Sequence, residues 1–255
     1  MTTESASAEY EVSLPTHDGS QFDQDEEWCE IVHDGERRRI RFHDYNEIYS
    51  IPGLYEHLFY ELLQCDSPRT VAESLRDQLA ETGREPAELR VFEVGAGNGM
   101  VGRELSELGV RTIVGVDIIP EAKMAADRDR PGVYEDYLVL DLTNIPPETK
   151  RELDARNFNC MVTVAALGFG DIPPNAFAEA YNLVEEGGLV AFNIKEDFIS
   201  DGDGSGFSRL IKRGLADGAL EVKSQRRYQH RLSMAGEPLF YVAIVAEKRA
   251  DLPIE

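Results

Sequence analysis

From residue 91 onward, short apolar runs alternate with amphipathic stretches. The runs at 91–94, 112–116, 137–140, 160–165 and 189–194 are rich in β-branched and aromatic residues and are bounded by glycine, proline or acids. That is the pattern of buried strands. Helical spacing fills the gaps: 100–108, stopped by Gly109; 120–130; 147–156; and 176–184, opened by Asn175 and stopped by Glu185-Glu186-Gly187-Gly188. A glycine- and acid-rich loop at 202–206 and a helix at 207–215 follow. Two longer segments, 220–231 and 239–247, flank Ala235-Gly236-Glu237-Pro238 and read as an antiparallel hairpin. Regular strand–helix alternation predicts parallel βαβ units with right-handed crossovers. The expected fold is therefore α/β: a mostly parallel sheet of seven strands, helices on both faces, and an antiparallel C-terminal hairpin.

Upstream the pattern changes. Residues 1–24 are polar and acidic with few large apolar side chains, and read as a disordered or loosely attached tail. Residues 27–42 read as a hairpin, with Trp28, Ile31, Val32, Ile40 and Phe42 flanking the Asp34-Gly35 turn signal. Arg37, Arg38, Arg39 and Arg41 would line its exposed edge. The aromatic-rich stretch 44–63 reads as two short helices broken at Ile51-Pro52-Gly53. Ser67-Pro68, a cap followed by a first-turn proline, opens a helix to Thr82 that Gly83 stops. The domain reading is a tail over 1–24, a hairpin and helical cap over 25–88, and a cofactor-binding domain over 89–255.

Length and composition narrow the function. With 255 residues and 42% hydrophobic content, one α/β domain plus an extension is expected. There is no apolar run of membrane-spanning length, and the first residues show no basic, apolar leader pattern. Three scattered cysteines (Cys29, Cys65, Cys160) point to reduced thiols, a cytoplasmic setting and no metal site. The net charge of −22 opposes nucleic acid and anionic membranes as partners and leaves a small-molecule substrate. The arginine groups at 37–41 and 226–231 keep a small anionic substrate open. The acidity itself reads as a solvated surface, and the scarcity of lysine beside arginine leaves adaptation to high salt, or a G- and C-rich genome, open as its source.

The chemistry sits after the first core strand. Gly97-Asn98-Gly99-Met100-Val101-Gly102 fits the G-x-G-x-x-G of dinucleotide enzymes, and Glu93-x-Gly95-x-Gly97-x-Gly99 fits a second grammar. The fingerprint should begin where the strand stops, at Val94, which makes Gly95 the first glycine and favours the second. Acids end three successive strands at Glu93, Asp117 and Asp141, 24 residues apart at each step. In a doubly wound sheet those positions face the ligand crevice.

This loop and its acids resemble those of class I S-adenosylmethionine (SAM) methyltransferases, whose Rossmann-like sheet also ends in an antiparallel hairpin. His43-Asp44-Tyr45, Ile51-Pro52-Gly53-Leu54-Tyr55-Glu56 and the stretch Ala165 to Pro174 are similar to a family of uncharacterised methyltransferase-domain proteins. The resemblance implies SAM as cofactor, with Glu93 on the methionine ammonium, Asp117 on the ribose hydroxyls, and Asp141 on the adenine amino group beside Leu142. It adds Gly95, Ala96, Gly97, Asn98, Gly99, Ile118 and Ala165 to the cofactor set, and a tyrosine pair, Tyr45 and Tyr49, at the methionine end. His43, Tyr49, His57 and His230 are the candidate catalytic residues, histidine being the usual proton acceptor near neutral pH. The Asn/Asp-Pro-Pro-Tyr/Phe motif of amide and nucleobase methyltransferases is missing after the fourth strand. Two other readings stay open: a non-catalytic SAM-binding or protein-interaction module, and an NAD-dependent oxidoreductase, for which no Tyr-x-x-x-Lys or equivalent is found. The methyl acceptor and the oligomeric state are not legible at this level.

Overall fold

The computed structural model of the chain describes residues 10–15, 24–167, 171–196 and 206–254. The loop at 202–206, Gly206 apart, lies outside the described residues, as do Gly168, Phe169, Gly170 and most of the segment 1–24.

The N-terminal unit is a three-stranded antiparallel sheet, β1 (Tyr10–Ser13), β2 (Trp28–His33) and β3 (Glu36–Arg41), in that order. Asp34 and Gly35 turn between β2 and β3 with φ of 53° and 77°, as the Asp-Gly signal predicts. β1 falls in the segment read as a loose tail. Its alternating Tyr10 and Val12 pack on the small core that β2 and β3 share with α1 (Tyr45–Ser50) and α2 (Leu54–Glu56). Two apolar residues in four suffice there because a sheet edge is waiting to pair them. Gly53, φ 76°, breaks the chain between α1 and α2, and α2 runs on as a π-helical turn, His57–Leu62.

α3 (Ser67–Thr82) ends on Gly83 at φ 66°, as expected, but its N-cap is Asp66. The Ser67 hydroxyl does not cap. It is buried and bonded to Tyr228 and His230, both 2.6 Å away.

The remaining strands are β4 (Arg90–Val94), β5 (Thr112–Asp117), β6 (Asp136–Val139), β7 (Phe158–Thr163), β8 (Val184–Lys195), β9 (Leu220–Leu232) and β10 (Pro238–Lys248). They form one sheet in the order β6-β5-β4-β7-β8-β10-β9, with only β10 antiparallel to its neighbours β8 and β9. The helices between them are α4 (Met100–Leu108), α5 (Pro120–Asp129), α6 (Pro147–Asp154), α7 (Pro174–Asn182) and α8 (Phe207–Ala216). One face of the sheet buries Phe92, Phe158, Phe177, Tyr181, Phe192 and Phe207; the other buries Val71, Leu75 and Leu79 of α3 against Val91, Val162 and Val245. Each such side chain contributes about 1.5–3 kcal/mol of burial. Among the described residues no helix is long and apolar enough to cross a membrane.

Two boundaries differ from the sequence reading. α7 starts at Pro174, with Pro173 at its cap, before Asn175. β8 starts at Val184, so Glu185 to Gly188, read as a helix stop, lies inside the strand. The register of β7 against β8 slips between Phe158 and Cys160, and Gly187 takes φ 80°. The glycines mark a strand irregularity.

Strand order reverses between β4 and β7, so the C-terminal tips of β4, β5, β6 and β7 surround one crevice. The N-terminal unit sits over it.

Candidate functional site

The crevice is a cleft of about 470 Å³. Val94 and Gly95 from β4, Asp117, Ile118 and Ile119 after β5, Asp141 and Leu142 after β6, and Val164 and Ala165 after β7 line it. Tyr45, Tyr49 and Tyr55 close it from the N-terminal unit. Sequence spacing placed the acids at strand tips; the parallel pairing of β4 with β5 and β5 with β6 places them side by side.

Asp117 is tied to the loop it faces. One carboxylate oxygen accepts from the Gly97 N–H at 2.9 Å and the other from the Ile119 N–H at 3.0 Å. Burial pushes its pKa up while these backbone donors pull it back. Each oxygen keeps a lone pair for a further donor such as a ribose hydroxyl. Asp141 is held by Thr143, whose hydroxyl and N–H both donate to one oxygen, at 2.7 and 2.8 Å, and lower its pKa. Between them Leu142 is buried, whereas Ile118 is 60% exposed on the cleft lip. A large apolar side chain left in solvent beside two acids fits an aromatic ligand that would cover it. The residues present therefore suit an adenosyl group.

The glycine loop is covered from outside. Gly95 (φ 68°) is the sharp turn, on the cleft wall. A Cβ on Gly97 (φ 54°) would lie 2.5 Å from the Tyr49 hydroxyl. On Gly99 it would meet Tyr134 at 3.1 Å and Arg130 at 3.2 Å. Asn98 is buried and donates to Glu56 of α2 at 2.8 Å, and Arg130 joins the same carboxylate at 2.8 Å. Gly97, Asn98 and Gly99 thus support the cleft without lining it, and neither does Ala96, which packs beneath with Ala126 and Tyr137.

Glu93 is also away from the cleft. It lies on the face of β4 opposite Val94, buried, with one oxygen accepting from the Tyr134 hydroxyl at 3.1 Å and the other unpartnered. Burial pushes its pKa up to about 8. A group held neutral at pH 7 behind the loop is badly placed for the ammonium task that the resemblance implied.

The candidate catalytic residues separate cleanly. His57 pairs with Glu61 at 2.6 Å on the surface and lines neither the cleft nor the smaller chamber beside it. Tyr49 lines the cleft, with burial keeping its hydroxyl protonated. His43 lines the cleft with Nδ1 3.4 Å from both carboxylate oxygens of Asp171. His230 is buried, stacks on Tyr241 with ring centroids 4.0 Å apart, and is kept neutral by burial and by Arg231 beside it. It lines a smaller chamber that shares His43, Tyr45, Tyr55, Ala165 and Asp171 with the cleft.

Four participants were not found from sequence: Asp171, Ser67, Tyr228 and Asn193. Asn193, fully buried on β8, accepts from the Ala165 N–H at 2.6 Å and donates to Ser67 and Tyr228. It pins Ala165, which takes φ 56° without being glycine, at the point where the two cavities meet. Such a strained residue persists only when its surroundings hold it. A buried asparagine in an apolar strand was the available signal.

None of the arginines at 37–41, nor Arg226 or Arg227, lines either cavity, and the Arg231 side chain is buried in an ion pair with Glu27. The cation cluster that kept an anionic substrate open is not at the site.

The comparisons with known proteins agree with this fold. A methyltransferase-domain family model matches residues 92–192. A candidate RNA methyltransferase from Pyrococcus horikoshii superposes with a TM-score of 0.51 at 15% identity, over 73% of this chain and 88% of that one. Magnesium protoporphyrin IX methyltransferase from Synechocystis, solved with bound SAM, gives 0.49 at 15% over 71% and 79%. A SAM-dependent methyltransferase from Mesorhizobium loti gives 0.46 at 15% over 68% and 96%. No curated protein matches the sequence significantly. The core of this chain is a class I methyltransferase fold. The family match over residues 92–192, within this fold, supports SAM as the cofactor.

Proposed function

We propose that this protein transfers a methyl group from SAM to a small molecule. The observation that carries the reading is the convergence of Asp117, Ile118, Asp141 and Leu142 on one cleft closed by three tyrosines. Asp117 would accept from the ribose hydroxyls, Asp141 from the adenine amino group, and Ile118 and Leu142 would pack on the ring. Tyr45 and Tyr49 would contact the methionine end. Glu93 supports the loop from behind, and Gly97, Asn98 and Gly99 shape it.

The cofactor supplies a methyl group on a positively charged sulfur, an already activated leaving group. The protein's work is placement: holding a nucleophile about 3–3.5 Å from the methyl carbon and excluding water. The aromatic cover over the cleft serves the second task.

The loop geometry speaks against the NAD-dependent reading. A dinucleotide pyrophosphate would need open backbone over the glycines at the head of α4. Those glycines are sealed by Tyr49, Tyr134 and Arg130. The test is calorimetric titration with SAM, with the demethylated product S-adenosylhomocysteine, and with NAD. The first two are expected to bind one per chain and NAD not at all; NAD binding alone would reverse the assignment. Release of S-adenosylhomocysteine in a metabolite extract separates an enzyme from a non-catalytic SAM-binding module.

A further inference from the structure

The small chamber opens off the cleft at Ala165 and Asp171, which line both. Phe42, Tyr45, Tyr55, Phe59 and Tyr241 give it aromatic walls. Phe59 sits beside Phe42 and Tyr55, with ring centroids 5.7 and 4.8 Å away. Burial keeps the hydroxyls of Tyr45, Tyr55 and Tyr241 protonated, so these rings stay neutral and their faces electron-rich. The chamber offers about 40 Å³, room for a few water-sized atoms, so it takes one end of a molecule whose body lies in the cleft.

Charge sorts what that end can be. Among the described residues, the one lysine or arginine in the chamber is Arg231, buried and already paired with Glu27. The adjoining cleft is lined by Asp117, Asp141 and Asp171 and by no described lysine or arginine. The residues outside the described set contain neither. His230 and Cys65, which also line the chamber, are held neutral by burial. A carboxylate or phosphate would therefore meet repulsion and no partner. An ammonium meets the opposite: ring faces that attract a cation, and the Asp171 carboxylate at the chamber mouth. His43 Nδ1 stands 3.4 Å from that carboxylate, which offers about four lone-pair sites and so has capacity for a second donor.

We propose that this chamber is a subsite for an ammonium group and that the methyl acceptor is an organic amine held by it. The ammonium sits between the aromatic rings and Asp171, and the atom that receives the methyl lies on the cleft side. The protonated nitrogen has no lone pair, so it is a handle and not the nucleophile. SAM carries an ammonium of its own, but a carboxylate stands on the same carbon. Drawing that end to Asp171 would bring the carboxylate in against a like charge, with no unpaired arginine or lysine to receive it. An acceptor ammonium without a neighbouring carboxylate carries no such cost. The assignment rests on the SAM reading above and names the acceptor class.

The test titrates protein saturated with S-adenosylhomocysteine, from which no methyl can pass, with phenethylamine, phenethyl alcohol and phenylacetate as matched cationic, neutral and anionic probes. By calorimetry near neutral pH the amine should bind about tenfold tighter than the alcohol or better, and phenylacetate not at all. Asp171→Asn should weaken the amine about tenfold, with the alcohol and S-adenosylhomocysteine unchanged, and Asp171→Glu should recover it. A merely structural aspartate would move the amine and the alcohol together. Equal affinity for amine and alcohol, binding of phenylacetate, or an amine affinity unmoved by Asp171→Asn would overturn the assignment. So would a loss of SAM affinity in Asp171→Asn at unchanged affinity for methylthioadenosine, which lacks the amino-acid end, because Asp171 would then serve the cofactor. Absence of S-adenosylhomocysteine binding to the wild-type protein would mean that the cofactor reading had failed first.

Discussion

Replacing Glu93 with glutamine should make the protein more stable at high pH, not less. The side chain is 2% exposed, one carboxyl oxygen has no partner, and burial lifts its pKa to about 8 from an ordinary value of 4.5. The folded state therefore holds a proton that the unfolded state has released throughout the range between those two values. Relative to the unfolded chain, this proton's stabilisation is complete below about pH 4.5 and drains away as pH rises to about 8. At about 1.4 kcal/mol per unit the whole window corresponds to an upper limit of roughly 5 kcal/mol, less where the site relaxes or admits water. Glutamine keeps the carbonyl that accepts from Tyr134 and carries no titrating proton. Urea unfolding of wild type and Glu93→Gln at one-unit steps from pH 5 to 8 measures the effect. The stability difference should tilt toward the variant with rising pH, by at least about 2 kcal/mol across the series. Parallel curves would refute the reasoning, and show that Glu93 is ionised and satisfied in the folded protein.

Two further outcomes follow from contacts between the N-terminal unit and the loop, and a third from the bond that holds Ala165. Glu56→Ala leaves the Arg130 side chain, 7% exposed, without its carboxylate and frees Asn98; a loss of about 2–4 kcal/mol is expected in urea unfolding. Gly97→Ala puts a Cβ 2.5 Å from the Tyr49 hydroxyl at a backbone φ of 54°. Urea unfolding should show a loss of about 1–2 kcal/mol, the usual cost of a left-handed non-glycine residue. Asn193→Ala removes the acceptor for the Ala165 N–H. The rate of methyl transfer should drop more than SAM affinity does, read as a kcat loss beyond any change in Kd.

How far the sequence speaks can be seen residue by residue. The seven-stranded sheet was legible because its strands are buried on both sides and read as short apolar runs. Asp117 and Asp141 were legible because parallel strands deliver their C-terminal residues to one crevice. Glu93 was read correctly as a strand-end acid but given a ligand role. Spacing locates a residue along a strand, and only the face it takes, here opposite Val94, decides whether it meets the cleft. Ser67 looked like a helix cap from local grammar, yet a tertiary network of Asn193, Tyr228 and His230 claims its hydroxyl. Asp171 reaches His43 across 128 residues of chain, a distance at which no local pattern operates. Of the histidines, His57 differs from His43 only in what folds beside it.

The account stands or falls on an adenosyl group held at the tips of β4, β5 and β6. Calorimetric titration of SAM into wild type and Asp117→Ala tests it most directly. Wild type should bind one SAM per chain, and the variant should lose ten- to a hundredfold in affinity, the worth of charge-assisted hydrogen bonds to the ribose. SAM binding of equal strength in both proteins, or none in the wild type, would contradict it.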